Sequence, residues 1–149
     1  MVCLGFFLNG CSTRPDCPQS LSTNPAISAG CLVIEKHQLL VAQTHSGVVS
    51  IPGGSGNNDE ASHCTAHRET WEETGLSVEP THLVRVFDNG FHLYRCRWHG
   101  EQLETSAPFV LEIDKAFWVK AKDFDQYRWR FPAQAQWLQQ LLLDDEKTL

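Results

Sequence analysis

The residues that could do chemistry crowd into positions 60–73, where Glu60, Glu69, Glu72 and Glu73 stand in a chain of formal net charge −6. On a helix turning roughly 100° per residue, Glu69, Glu72 and Glu73 fall at i, i+3 and i+4 and share one narrow face. Like charges so spaced repel by a few tenths of a kcal/mol per pair, which folding alone does not reward. Either the face is simply solvated or a cation belongs there. Repulsion among three carboxylates should also raise the pKa of at least one of them. Mg²⁺ or Mn²⁺ suits such a face, because a hard cation takes carboxylate oxygens and leaves positions for water and phosphate oxygens. The ion would also let an anionic phosphate approach an acidic protein. A Glu-rich solvated helix is the commoner cause of this spacing, so the pattern needs its context.

That context is a set of elements able to position the acids. Residues 59–74 contain no Gly or Pro, and Gly75 follows as a C-cap, so a helix is expected there. Asn58, Asp59 or Ser62 could each be its N-cap. Residues 29–36 and 39–43 are short apolar runs joined by a turn and read as a hairpin. The strand in residues 48–51 is expected to end at the breaker Pro52-Gly53-Gly54. Residues 82–87 and 91–98 form a second antiparallel pair around Asp88-Asn89-Gly90, and residues 116–120 offer a further strand. Pro132 suits the first position of a closing helix whose stripe of Trp137, Leu138, Leu141 and Leu142 is core packing. Strands, an internal helix, more strands and a final helix make an α/β layered domain with a mixed sheet.

Composition narrows the function classes. A chain of 149 residues, 42% hydrophobic and 20% charged, supports one globular domain with a single core. No apolar run approaches the ~20 residues of a membrane-spanning helix. The 12 Lys and Arg are dispersed, which argues against a nucleic-acid partner. Residues 1–26 read as an apolar leader and a polar, Pro- and Ser-rich linker, ahead of a domain over residues 27–149. Residues 8–12 resemble a bacterial lipobox, which would place a lipid anchor on Cys11 and the protein in the cell envelope. The alternative is a disordered tail on a cytoplasmic protein. Apart from Cys3 and Cys11, the chain carries Cys17, Cys31, Cys64 and Cys96, an even number compatible with disulfides outside the cytoplasm. For Cys31 and Cys64 the expectation is nevertheless a buried free thiol.

The whole string decides between a solvated face and a cation site. Gly54, five residues, Glu60, seven residues, then Arg68-Glu69-Thr70-Trp71-Glu72-Glu73-Thr74-Gly75-Leu76 resembles the Nudix box, G-x5-E-x7-R-E-U-x-E-E-x-G-U. Every fixed Gly, Glu and Arg is in place. One slot departs, where Thr70 stands for an aliphatic residue. The resemblance implies an α/β/α sandwich with a mixed sheet, and cleavage of a diphosphate linkage in a nucleoside diphosphate joined to another moiety, with a divalent metal. It makes Glu69, Glu72 and Glu73 metal ligands, with the Gly53 carbonyl as a further one. Arg68 would orient the carboxylates, and Glu60 would support the loop and helix. The base often comes from outside the box. In the MutT-type branch it precedes a Trp by about six residues, which points to Glu112 before Trp118, with Asp114, Glu101 and Glu104 as rivals. Tyr94 lies near where diadenosine polyphosphate hydrolases of the family stack a Tyr on a base. His63 and His67, at i and i+4 on one helix face with Cys64 nearby, suggest zinc, but no full set of four ligands is evident. The coenzyme A and ADP-ribose signatures are not evident either. A binding-only Nudix domain is the alternative to an enzyme, and such domains commonly lose box carboxylates that this chain retains. The box prepares phosphate cleavage, and substrate choice lies outside it.

Overall fold

The structure, a computed structural model, describes residues 14–101, 105 and 110–147. The lipobox-like stretch with Cys11, and Glu104, lie outside the described residues.

Strands buried on both faces build the centre of the fold. Strands β1 (Ser28–Leu32), β2 (Ile34–Glu35), β3 (Gln38–Thr44) and β4 (Val48–Ser50) come first, then β5 (Gly53–Ser55). After helix α1 (Ser62–Thr74) follow β6 (Val78–Val86), β7 (Phe91–Trp98), β8 (Ile113–Lys120), a 3-10 turn at Ala121–Gln126, β9 (Arg128–Trp129) and helix α2 (Pro132–Glu146). One sheet has the order β5-β1-β7-β6; the other runs β2-β3-β4-β9, with β8 also on β3. The β1–β7 and β4–β9 pairs are parallel and the rest antiparallel, so the sheets are mixed. Leu39 and Val41 enter one core cluster with Leu32, Phe124 and the α2 residues Leu138 and Leu142. Leu40, between them, joins Cys31, Val33, Tyr94 and Ala66 of α1 in the other. Side chains that alternate between two clusters put the helices on opposite faces, giving the α/β/α arrangement the sequence leads one to expect.

Several boundaries shift for local reasons. The strand over residues 48–50 ends before Pro52 as expected, and Gly53–Ser55 then forms an additional strand against β1. A Cβ on Gly53 would come within 2.7 Å of the Ala29 carbonyl, so glycine is there for a close approach of strands. Strand β6 starts at Val78, ahead of the expected 82, and tolerates Pro80 because it lies at a sheet edge with its register shifted there. Strand β8 likewise begins earlier, at Ile113. The α1 N-cap is Ala61, without a side-chain cap bond, while Gly75 closes the helix at φ 73° as anticipated. Pro132 opens α2.

The free-thiol expectation for Cys31 and Cys64 is overturned. Cys31 is bonded to Cys96 across the parallel β1–β7 pair, and Cys64 on α1 is bonded to Cys17. The partners stand 65 and 47 residues apart in sequence, with Cα atoms 5.5 and 5.3 Å apart in space. Linear spacing holds no trace of that proximity. Residues 15–25, linker-like in composition, lie against α1: the Ser62 N–H donates to the Asn24 carbonyl, and Pro25 bridges to Ala61.

Candidate functional site

Helix α1 turns one face to the core and the other to β5. Ser62, Thr65, Ala66, His67, Thr70 and Thr74 are buried. Thr70, the departure from the aliphatic slot, is wholly buried, and its hydroxyl donates to the Ala66 carbonyl at 2.8 Å. Its polar group is therefore satisfied where an aliphatic side chain would have none to satisfy. Thr74 does the same toward the Thr70 carbonyl.

Arg68 organises the opposite face. Its Nε and Nη2 donate to the two oxygens of Glu60 at 2.9 and 3.0 Å. Nη1 donates to Glu69 at 2.7 Å and to Glu72 at 3.2 Å, and Nη2 also reaches the Ser55 carbonyl at 2.8 Å. All five N–H donors of the guanidinium are thereby used. Burial alone would raise the pKa of Glu60. The hydrogen bonds from Arg68, the Asn57 N–H and the Thr65 hydroxyl outweigh it and bring the carboxyl down to about 2. Glu60 is thus a fixed anion that clamps the preceding loop to the helix.

Glu69 and Glu73 are shifted the other way. Burial raises Glu69, against the pull of Arg68 and with added repulsion from Glu72 and Glu60. Burial also raises Glu73, to about 8, although the Gly53 N–H donates to it at 3.1 Å and the Arg130 charge favours its anion. Glu69 sits against Gly54, where a Cβ would lie 2.6 Å from the carboxylate. Glu69 and Glu72 share one Arg68 nitrogen, while Glu69 and Glu73 meet adjacent glycines of β5. The three carboxylates therefore converge. Two of them are held in surroundings that penalise their negative charge, as expected for oxygens awaiting a cation. This donor set, all oxygen and cradled by glycine, fits a hard divalent ion.

Beside these acids opens a cleft of about 560 Å³, also bordered by Gly53 and Gly54. Phe87, Phe91 and Phe131 provide aromatic walls, and Asn89, Gln134 and Arg130 provide polar groups. The Arg130 guanidinium lies 5.4 Å from the centre of the Phe131 ring. Of this group the sequence marked only Phe91, as one of several aromatics able to stack on a base. The others come from the β6–β7 turn and the residues just before and within α2, and nothing in their spacing marks them.

Other expected residues fall elsewhere. Tyr94 is only 2% exposed, packs in the α1-side core and bonds through its hydroxyl to Ser62 at 2.7 Å. Its ring is enclosed by the core and cannot stack on a bound base. Glu112 is exposed in the turn before β8 and makes no hydrogen bond or ion pair with other described residues. Asp114 faces His45 at 3.5 Å, and Glu101 is exposed beyond β7. Of the zinc-like trio, Cys64 is in a disulfide, His63 bonds Thr23 at 2.8 Å and His67 bonds the Val78 carbonyl at 2.6 Å. Cys17, His63 and Cys64 do place ligand atoms within 4.8 Å of one another, with both sulfurs committed to the disulfide.

Comparison with known proteins shows the family and the fold. Phosphatase NudJ of Escherichia coli strain K12 is 31% identical over 111 residues, spanning 68% of this chain and 72% of that protein. An ADP-ribose pyrophosphatase from Streptococcus suis 89-1591 superposes with a TM-score of 0.68 at 20% identity, covering 83% of this chain and 93% of its own. A UDP-X diphosphatase superposes at 0.64 with 17% identity, covering 87% and 68%. The NUDIX domain matches residues 24–141. With every fixed Gly, Glu and Arg of the box in place and folded around one arginine, the chain belongs to the NUDIX family of hydrolases.

Proposed function

We propose that this protein is a divalent-cation-dependent hydrolase that splits the diphosphate linkage of a small, nucleotide-derived substrate. The observation that carries this reading is the convergence of Glu69, Glu72 and Glu73 under Arg68, with burial raising two of the three. These carboxylates, with the Gly53 carbonyl, would hold Mg²⁺ or Mn²⁺. Bound there, the ion supplies charge withdrawal from phosphate oxygens and a more acidic water. Arg68 keeps Glu69 and Glu72 in place, and Glu60 keeps Arg68 in place. Glu72 is the most open of the carboxylates on Arg68 and is suited to take a proton from an attacking water. Glu112, from outside the box, is the alternative base or a further cation ligand. The cleft takes the organic moiety, since aromatic and polar side chains together lining it match a planar heterocycle. The phosphatase and diphosphatase names of the similar proteins support the reaction class.

The test is release of phosphate or nucleotide from a panel of nucleoside diphosphate derivatives with Mg²⁺, Mn²⁺ or chelator. Glu72→Gln is expected to lose about two to four orders of magnitude in turnover, as several kcal/mol of transition-state stabilisation disappear. Turnover that survives chelation, or a Glu72→Gln variant as fast as wild type, would overturn the reading. Substrate binding without turnover in the wild type would leave a nucleotide-binding module instead.

A further inference from the structure

We propose that Arg14 is a phosphate-contacting residue of this site, delivered there by a strap that the Cys17–Cys64 disulfide fastens to α1. The inference rests on the hydrolase reading above and adds a residue from outside the matched family domain, which begins at residue 24.

The strap runs antiparallel to α1. Arg14 faces Glu72, the Pro15 carbonyl faces His67 at 3.4 Å, and Cys17 is bonded to Cys64. Thr23 then meets His63 and Ser62, the Asn24 carbonyl takes the Ser62 N–H, and Pro25 bridges to Ala61. As the strap sequence rises the helix sequence falls, so its first residues lie over the metal-binding end. The disulfide is the one covalent tie in this array, three residues from Arg14.

Arg14 differs from Arg68 in what it has left to give. Arg68 has a side chain 9% exposed and every donor in use. Arg14 is 55% exposed, and its one described contact is Nη1 at 3.9 Å from Oε1 of Glu72. An ion pair that long and that exposed adds little to stability. Its placement matters more. Glu72 gives Oε2 to Arg68 and turns Oε1 toward Arg14. A diphosphate held at these carboxylates through a cation would lie within reach of an uncommitted guanidinium, whose planar fork suits phosphate oxygens. A lysine on a loose tail would lack both the fork and the anchorage.

The test uses the full chain with Mn²⁺ and methylenediphosphonate, a diphosphate whose carbon bridge resists hydrolysis, with both affinities read by calorimetry. Arg14→Gln is expected to weaken diphosphonate binding about tenfold, or about 1.4 kcal/mol, while Mn²⁺ affinity stays within about twofold. Arg14→Lys should recover part of the loss. The double variant Cys17→Ser/Cys64→Ser should lose about as much as Arg14→Gln, and adding Arg14→Gln to it should change little, since an undelivered arginine has nothing to lose. Thermal melts confirm that each variant is folded; Arg14→Gln, with every cysteine intact, carries the test if the double variant is not. Unchanged diphosphonate affinity in Arg14→Gln, or losses that simply add, would overturn the proposal. Tighter Mn²⁺ binding in Arg14→Gln with unchanged diphosphonate affinity would make Arg14 a competitor of the cation and overturn it too. A wild type that does not bind Mn²⁺ would instead bring down the hydrolase reading beneath it.

Discussion

At the scale of single residues, the site is a contest between burial and charge that Arg68 only partly settles. Glu60 receives enough donors to bring its pKa down, whereas burial outweighs the donors at Glu69 and Glu73 and raises theirs. For Glu73 the consequence has a definite sign. Its folded pKa of about 8 lies above the ordinary 4.5, so the folded state holds the proton more tightly than the unfolded one. That contribution to stability is complete below pH 4.5 and is lost as pH rises through about 8. A cation that takes over the proton's place reverses the trend. The gain in Tm on adding Mn²⁺ should therefore be larger at about pH 9 than at about pH 5.5, and calorimetry at the two pH values checks it. Glu60 acts oppositely: its contribution is present above the ordinary carboxylate value and fades as pH falls toward about 2. Gly54 offers a steric test. A Cβ there meets the Glu69 carboxylate at 2.6 Å, so Gly54→Ala should displace that carboxylate. The expected cost is about a hundredfold in turnover with little change in Tm, because misplacement of a ligand by an ångström is enough.

At the scale of elements, α1 and β5 make the site together. The helix sets the spacing of the acids, and the strand brings the backbone of Gly53 and room at Gly54 against them. The helical part was legible because i, i+3, i+4 is a property of local geometry that any helix over these residues must express. Gly75 was legible for the same reason, as an αL C-cap. The breaker did end β4 as expected, but the pairing of Gly53–Ser55 with β1 was not foreseen. The role of these glycines depends on how closely β1 approaches, and no local rule contains that distance. The strap over α1 was hidden likewise, because its polar composition is that of a linker while its contacts are with a helix about 50 residues away. The cleft shows the same limit: Phe131 and Arg130 precede α2, and only the packing of α2 over the sheet turns them toward β5.

At the scale of the whole molecule, two helices cover opposite faces of mixed sheets, and each disulfide ties a different part of that sandwich. Cys31–Cys96 joins neighbouring strands of one sheet inside the core. Cys31→Ser/Cys96→Ser should lose about 2–4 kcal/mol of unfolding free energy, read from urea denaturation without reductant.

The amino-acid sequence by itself determined the alternation of strands and helices and the face on which Glu69, Glu72 and Glu73 stand, because both follow from backbone periodicities of about 2 and 3.6 residues. Tertiary structure alone decided that Cys31 meets Cys96, that the Tyr94 ring is sealed in the core, that Arg130 borders the cleft and that Arg14 faces Glu72. Each of these is a distance between residues far apart along the chain. Such distances are set by how layers pack, and packing is a property of the assembled core rather than of any segment within it.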